Sequence, residues 1–239
     1  KKGENMKKLI LIVTVVVVSF ALLQADVYIK QKTKTGAFMG QPAKELIQET
    51  WLGTNKMASI SDEMSMIVNL AEKKVYMVMH KSKNYVEAAL PLDITKLMPE
   101  QMAPMIKQMM DGMTISVKPN GQTKKVLNWN AEGYDVNMKM MGMDMKMTFW
   151  ASKDVPFNWK KYSDLYTEVY KAQFRVGEKF MEEFKKIDGF PVLTEISMMG
   201  MDINIKTMVE EITKKTPGPG VYSVPDGYKK TDKLPMQGM

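Results

Sequence analysis

The chain has no cysteine. That excludes disulfides, thiol chemistry and cysteine-based metal sites, and it also excludes lipid attachment through a cysteine after a leader. The fold must be held by packing alone. There is one histidine, His80. Nucleophilic triads need a base beside the nucleophile, and His80 stands alone in a run of apolar and aromatic residues, where it reads as a satisfied or exposed strand residue. Glycine is sparse where phosphate binding would need it: Gly36 and Gly40-Gln41-Pro42 lack phosphate-loop spacing. No carboxylates form a recognisable acid/base pair. The formal net charge is +7 without any Lys/Arg block, so a nucleic-acid role has little support. Trp51, Trp129, Trp150 and Trp159 are too scattered for a stacking platform and read as core or rim. No cofactor is implied, and the expectation is a protein that is not an enzyme.

What is present begins with an export signal. Lys7 and Lys8 precede an apolar core from Leu9 to Leu23, and Leu23-Gln24-Ala25 fits a cleavage site before Asp26. The apolar stretch is about 15 residues, short of the roughly 20 that span a bilayer. Residues 1–25 therefore read as a cleaved signal peptide, with Met6 as the start and Lys1–Asn5 upstream of it. The leader carries +3 of the net charge and the remainder +4. The expected location is the periplasm or the medium, with no membrane span after cleavage.

The remainder alternates between strand and helix signals. Strands are expected at Asp26–Thr35, Lys44–Leu52, Lys56–Ile60, Met64–Leu70, Lys74–His80 and Asn84–Leu90. Helical spacing takes over from Asp93 to Met113, where Met98, Met102, Met105 and Met109 fall on one face. Pro99 and Pro104 interrupt it, so two short helices or one kinked helix are expected. Ile115–Val117 and Lys124–Trp129 read as two strands around a Pro119-Asn120-Gly121 turn. A second helix is expected over 158–187, with Ser163 as N-cap and Leu165, Val169, Ala172, Val176, Phe180, Phe184 and Ile187 as its apolar series. Its charged residues, Glu183 among them, read as a solvated side.

Methionine is the compositional anomaly, with 26 residues. From Tyr134 to Phe149, apolar residues alternate with polar ones on both sides of Met141-Gly142. A two-residue turn there, with glycine supplying φ > 0, pairs Met140 with Met143, Met138 with Met145, Val136 with Met147 and Tyr134 with Phe149. The same register sets Lys139 opposite Asp144. One face becomes wholly apolar and sulfur-rich, the other wholly polar. Met140-Met141-Gly142-Met143-Asp144 has a twin at Met198-Met199-Gly200-Met201-Asp202. In that second hairpin Ile196 and Met198 are expected to face Met201 and Ile203. These methionines have three readings: plain core, an adaptable apolar ligand surface, or thioether ligands for Cu(I) or Ag(I).

Several short motifs point to a family. They are Trp51-Leu52-Gly53 with Lys56-Met57, Ile67-Val68-Asn69-Leu70 before Lys74-Val75-Tyr76, and Lys83-Asn84-Tyr85. Phe149-Trp150-Ala151-Ser152-Lys153-Asp154-Val155-Pro156, Gly189-Phe190-Pro191-Val192 and a closing Val224-Pro225-Asp226-Gly227-Tyr228 complete them. The order resembles the exported bacterial family known as domain of unknown function 4412, which is similar in pattern to the periplasmic lipoprotein-carrier (LolA/LolB-type) fold. Near Asn128-Trp129-Asn130-Ala131, where relatives would carry Gly and Cys, this chain has neither, so no cysteine role carries over.

The resemblance implies an α+β fold: a curved antiparallel half-barrel, here about ten or eleven strands, with the two helices packed on its concave face. Residues 26–228 would form one lipoprotein-carrier-like domain, and 229–239 a flexible tail. The expected function is binding or carrying a hydrophobic small molecule, lipid or lipidated partner in a cavity lined by Met138, Met140, Met143, Met145, Met147, Met198 and Met201 from the sheet and Met98, Met102, Met105 and Met109 from the helix. A soft-metal binding protein and a structural envelope protein with a filled core are the alternatives.

Overall fold

A computed structural model of the chain describes residues 25–37, 42–102, 104–105, 107–108, 112–140, 143–174, 178–198 and 203–234. The proposed signal peptide lies outside these residues, apart from Ala25. No helix among them is long and apolar enough to cross a membrane.

Twelve strands form one sheet: β1 (Asp26–Thr35), β2 (Lys44–Leu52), β3 (Lys56–Ile60), β4 (Met64–Asn69), β5 (Lys74–Met79), β6 (Asn84–Ala89), β7 (Thr114–Val126), β8 (Trp129–Met140), β9 (Met143–Ser152), β10 (Phe190–Met198), β11 (Ile203–Lys215) and β12 (Lys229–Lys230). Their order is β12-β6-β5-β4-β3-β2-β1-β11-β10-β9-β8-β7. Every neighbouring pair is antiparallel except the parallel β12–β6 pair. The sequence points to ten or eleven strands. The extra strand comes from the tail, for which the sequence suggests only flexibility: Lys229 and Lys230 pair with Asn84 and Tyr85.

The first six strands run to within one residue of the expected limits. β3, β4 and β5 are buried on both faces. Met57, Met66, Val68, Val75 and Met77 belong to the main core, while Ala58, Ile67 and Val78 form a second cluster. Side chains alternate across a strand, so these two clusters lie on opposite faces. The second is covered by Val221, Tyr222, Val224 and Tyr228 from the segment after β11.

β7 corrects the sequence reading. Pro119-Asn120-Gly121 is an irregularity inside one strand, between Pro119 and Thr123, instead of a turn between two. Asn120 makes this possible. Its Oδ1 accepts from Gln122 N at 3.0 Å and its Nδ2 donates to Asp135 Oδ1 at 3.0 Å, over Gly133 of β8. β7 is an outer strand of the sheet. Bare strand edges invite unwanted pairing. Here Pro119 lacks a donor, the bulge breaks the ladder, and Glu183 accepts the Val117 N–H at 3.0 Å.

The first helical region is broken into pieces, as its prolines require, and residues 104, 105, 107 and 108 are helical beyond the break. Ile94–Leu97 is a single 3-10 turn, started by Asp93, whose carboxylate accepts from Thr95 N at 3.1 Å. Met98 is extended and Pro99 follows it, so the turn at Ile94–Leu97 and the helical residues from Pro104 do not form one ladder that would align the methionines. Met98 is fully buried in the main core, Met102 packs partly against it, and Met105 is 50% exposed. These three therefore do not share one face, and Met109 lies outside the described residues.

The second region starts with a 3-10 turn, Trp159–Tyr162, and its described helical residues are α1 (Ser163–Phe174) and α2 (Glu178–Phe184), with 175–177 outside the described residues. Ser163 already has helical dihedrals (φ −56°, ψ −38°), so it is not an N-cap. The apolar series also splits. Leu165 of α1 enters the main core, whereas Met181, Phe184 and Ile187 join a third cluster with β7, β8 and β9.

Candidate functional site

The methionine ribbon folds in the register that its two-sided pattern requires. Met140 pairs with Met143, Met138 with Met145, Val136 with Met147, Tyr134 with Phe149 and Lys139 with Asp144. The second hairpin departs from expectation. Met198 pairs with Ile203 and Ile196 with Ile205, a register shifted by two residues. Met201 and the turn residues of both hairpins lie outside the described residues.

Adjacent ladders extend each pair into a row across the sheet. One row is Ile115, Met138, Met145, Met198 and Ile203, on β7 to β11. The next is Val117, Val136, Met147, Ile196 and Ile205, and the third holds Pro119, Tyr134 and Phe149. Helix α2 covers the inner two. The Phe184 ring meets Phe149 edge-on at 5.6 Å, and Tyr134 Oη accepts from Asp188 N at 3.3 Å just beyond the helix. Val136 and Met147 are 0% and 2% exposed.

The first row is covered less completely. Met138 is 5% exposed, but Ile115 and Met145 are only half-buried, as are Met113 and Ile196 beside them. A hollow of about 390 Å³ opens at this end of the sheet, and most of its lining is the polar face of β7–β9, with Ser116, Asn137, Lys139, Asp144 and Lys146 around the strand segments that carry Ile115, Met138 and Met145. The methionines of the β8–β9 ribbon and Met98 thus occupy different clusters. Met138, Met145 and Met147 gather around α2, while Met98 and Met102 belong to the main core.

Charge is concentrated in two places. Glu195 accepts from Trp150 Nε1 at 2.9 Å and from the Lys124 and Lys206 ammonium groups at 3.3 Å each. Burial opposes its ionisation, but these donors outweigh burial and hold its pKa below the usual carboxylate range. Lys124 also sits 3.8 Å over the Trp150 ring. Elsewhere, Tyr222 Oη donates to Asp26 Oδ2 at 2.5 Å, and burial with this acidic neighbour pushes the tyrosine well above its ordinary pKa. These arrangements lock strands and segments together.

His80 is satisfied at both nitrogens. Nε2 lies 2.7 Å from Ser65 Oγ and Nδ1 lies 3.0 Å from Tyr228 Oη. The spacing is that of a nucleophile–base–orienter set, but Ser65 is 5% exposed beneath the strand-covering segment. In the sequence His80 is isolated. Nothing there reveals these partners, which come from 15 and 148 residues away. Among the described residues no three His, Cys, Asp or Glu side chains group as metal ligands.

The profile of the family described as Domain of unknown function (DUF4412) matches residues 49–228. No curated protein sequence matches the chain. Among solved structures, PNGF-II in a C2 crystal form is similar at 11% identity and TM-score 0.39, over 87% of this chain and 31% of that one. This chain therefore spans about a third of that structure's length. A LolA superfamily protein from Nitrosomonas europaea is 6% identical with TM-score 0.33, over 84% and 90% of the two chains. A DUF1329 family protein from Desulfovibrio piger is 8% identical with TM-score 0.32, over 82% and 88%. Likenesses this remote transfer no function.

Proposed function

The chain belongs to the DUF4412 family, and from that premise we propose that it is an exported, non-enzymatic protein that holds a hydrophobic ligand, a lipid or a lipidated partner, on its methionine strip. In this reading the sheet curves around α1 and α2, and both helices lie on its concave side. The apolar N-terminal stretch from Leu9 to Leu23 is the export signal.

One observation carries the proposal: the apolar face of the ribbon continues past the helix that covers it. α2 fills the Val117–Val136–Met147 row, and in the row beside it Ile115 and Met145 are left half-buried on either side of Met138. Burial of a ligand chain there would be driven by apolar area, and flexible thioethers adapt to varied shapes. The inner methionines are structural.

A filled-core structural protein is the second reading, favoured by Met98, Met147 and Met138 being at most 5% exposed. Native mass spectrometry of gently purified protein separates the two, because a lipid adduct supports the carrier. Met145→Leu should keep the adduct, since the swap conserves volume, and Met145→Glu should remove it without unfolding the chain. Apo protein throughout, or an adduct indifferent to Met145→Glu, refutes the carrier. A copper or silver adduct lost in Met145→Leu would instead mark a soft-metal site.

A further inference from the structure

The segment after β11 does more than end the chain. Residues 221–228 cross one face of β2–β6, and the chain then turns at Gly227 (φ 80°) to run along the outer edge of β6. Lys229 N donates to Lys83 O at 2.9 Å and Thr231 N to Tyr85 O at 2.8 Å. The chain next reaches the opposite face. Leu234 packs against the main core, and its N–H donates to Leu97 O at 2.8 Å, while Lys233 Nζ donates to Lys96 O at 2.9 Å. Leu97 and Met98 are the 6% and 0% exposed residues that the turn at Ile94–Leu97 presses onto that core. One short arm therefore closes a sheet edge and fastens the cover of the core.

The arm is weakly held compared with the strands around it. β12 makes two register pairs, whereas β1 makes ten with β11. Its side-chain anchors are the Tyr228–His80 hydrogen bond at one end, the Lys230–Glu87 ion pair at 3.4 Å, the Thr231 hydroxyl donating to Tyr85 O at 3.3 Å, and the exposed Lys233 contact with Lys96 O. Segments with few pairs and exposed hydrogen bonds open at lower free energy than the core. We propose that residues 228–234 are a hinged clasp, latched by Tyr228 on His80, whose release frees the β6 edge and uncovers Leu97 and Met98 as an entry to the main apolar core. Gly227 is the pivot, and residues 221–226 stay docked through Tyr222 on Asp26. The clasp stands whether or not the methionine strip carries a ligand.

Hydrogen exchange on the full chain tests it. The Thr231 and Leu234 amides should exchange together and faster than the amides of β4 and β5. Tyr228→Phe keeps the ring and removes the latch, and should speed both amides about fivefold, the effect of losing one neutral hydrogen bond. β4 and β5 should be unchanged. A second check, independent of the latch variant, uses the absence of cysteine: the double variant Asn84→Cys, Lys229→Cys joins register partners. Oxidised, it should slow peroxide oxidation of the Met98 sulfur at least tenfold relative to the unsubstituted chain, which has no thiol for peroxide to consume. Equal Met98 oxidation in the two proteins, or Leu234 exchanging only at the rate of the β4 amides, overturns the clasp.

Discussion

Met147→Ala tests whether the inner methionines are core. Met147 is 2% exposed, sits opposite Val136 on β8 and Ile196 on β10, and shares a cluster with Met181 and Phe184 of α2. Truncation removes three heavy atoms. At about 0.8 kcal/mol per buried methylene-sized group the transfer loss is about 2.4 kcal/mol. The cavity left among Val136, Phe184 and Ile196 adds to that, bringing the cost to about 3–4 kcal/mol, within the range for buried Met→Ala. For a domain of this size, that lowers Tm by roughly 6–16 °C. Met147→Leu should cost less than about 1.5 kcal/mol. Met145→Ala, one row out and half-buried, should cost less than half as much as Met147→Ala. Urea denaturation followed by tryptophan fluorescence measures all three. Equal costs for Met145→Ala and Met147→Ala would refute the division of the face into a covered row and a strip.

Three further outcomes follow from particular contacts. Tyr28 is pushed up to about 12 by burial and the neighbouring Glu49 carboxylate; the folded state thus holds this proton more tightly than the unfolded state. Stability is intact below pH about 10 and falls by about 1.4 kcal/mol per unit as pH rises toward 12; Tyr28→Phe should flatten that fall in urea midpoints taken from pH 9 to 11.5, and an unchanged slope would contradict it. A Cβ on Gly133 would collide with the Asn120 amide, so Gly133→Ala should cost about 1–3 kcal/mol, and a double-mutant cycle with Asn120→Ala should show the two to be strongly non-additive. Leu127 turns the chain between β7 and β8 at φ 52° while 49% exposed; Leu127→Asn should stabilise by about 0.5–1 kcal/mol, visible as a raised Tm.

Where two independent patterns had to agree, the sequence was sufficient. The β8–β9 register was legible because the apolar and polar residues of Tyr134–Phe149 each demanded the same pairing. The β10–β11 register was not, because a five-residue repeat says nothing about how its turn is made. Pro119-Asn120-Gly121 resembles a turn because its residue types are turn formers. Asn120 instead uses its amide to bridge Gln122 and Asp135, and the strand continues. Over 93–113 the prolines correctly foretold a broken helix, but the methionine spacing assumed one shared face that a broken helix does not keep. The arm at 229–234 carries no periodicity at all: its hold comes from backbone donors meeting Lys83, Tyr85 and Leu97, and local pattern cannot foresee that.

The boundary between core and candidate site follows from cover. Rows on one face of a strand repeat every two residues, about 6.8 Å. The four rows from Met140–Met143 to Tyr134–Phe149 therefore span about 20 Å. Phe184 against Phe149 and Glu183 on Val117 place α2 over the inner rows. The cover reaches Met138, which is 5% exposed and shares a cluster with Met181, and stops short of Ile115 and Met145 in the same row, which stay half-buried. Nothing in the strand chemistry distinguishes Met145 from Met147, two residues along the same face of β9 and 2% exposed. The same residue type is core or strip according to what lies over it, so Met145 is half-buried because of where its cover ends, and not because of any signal in β9 itself.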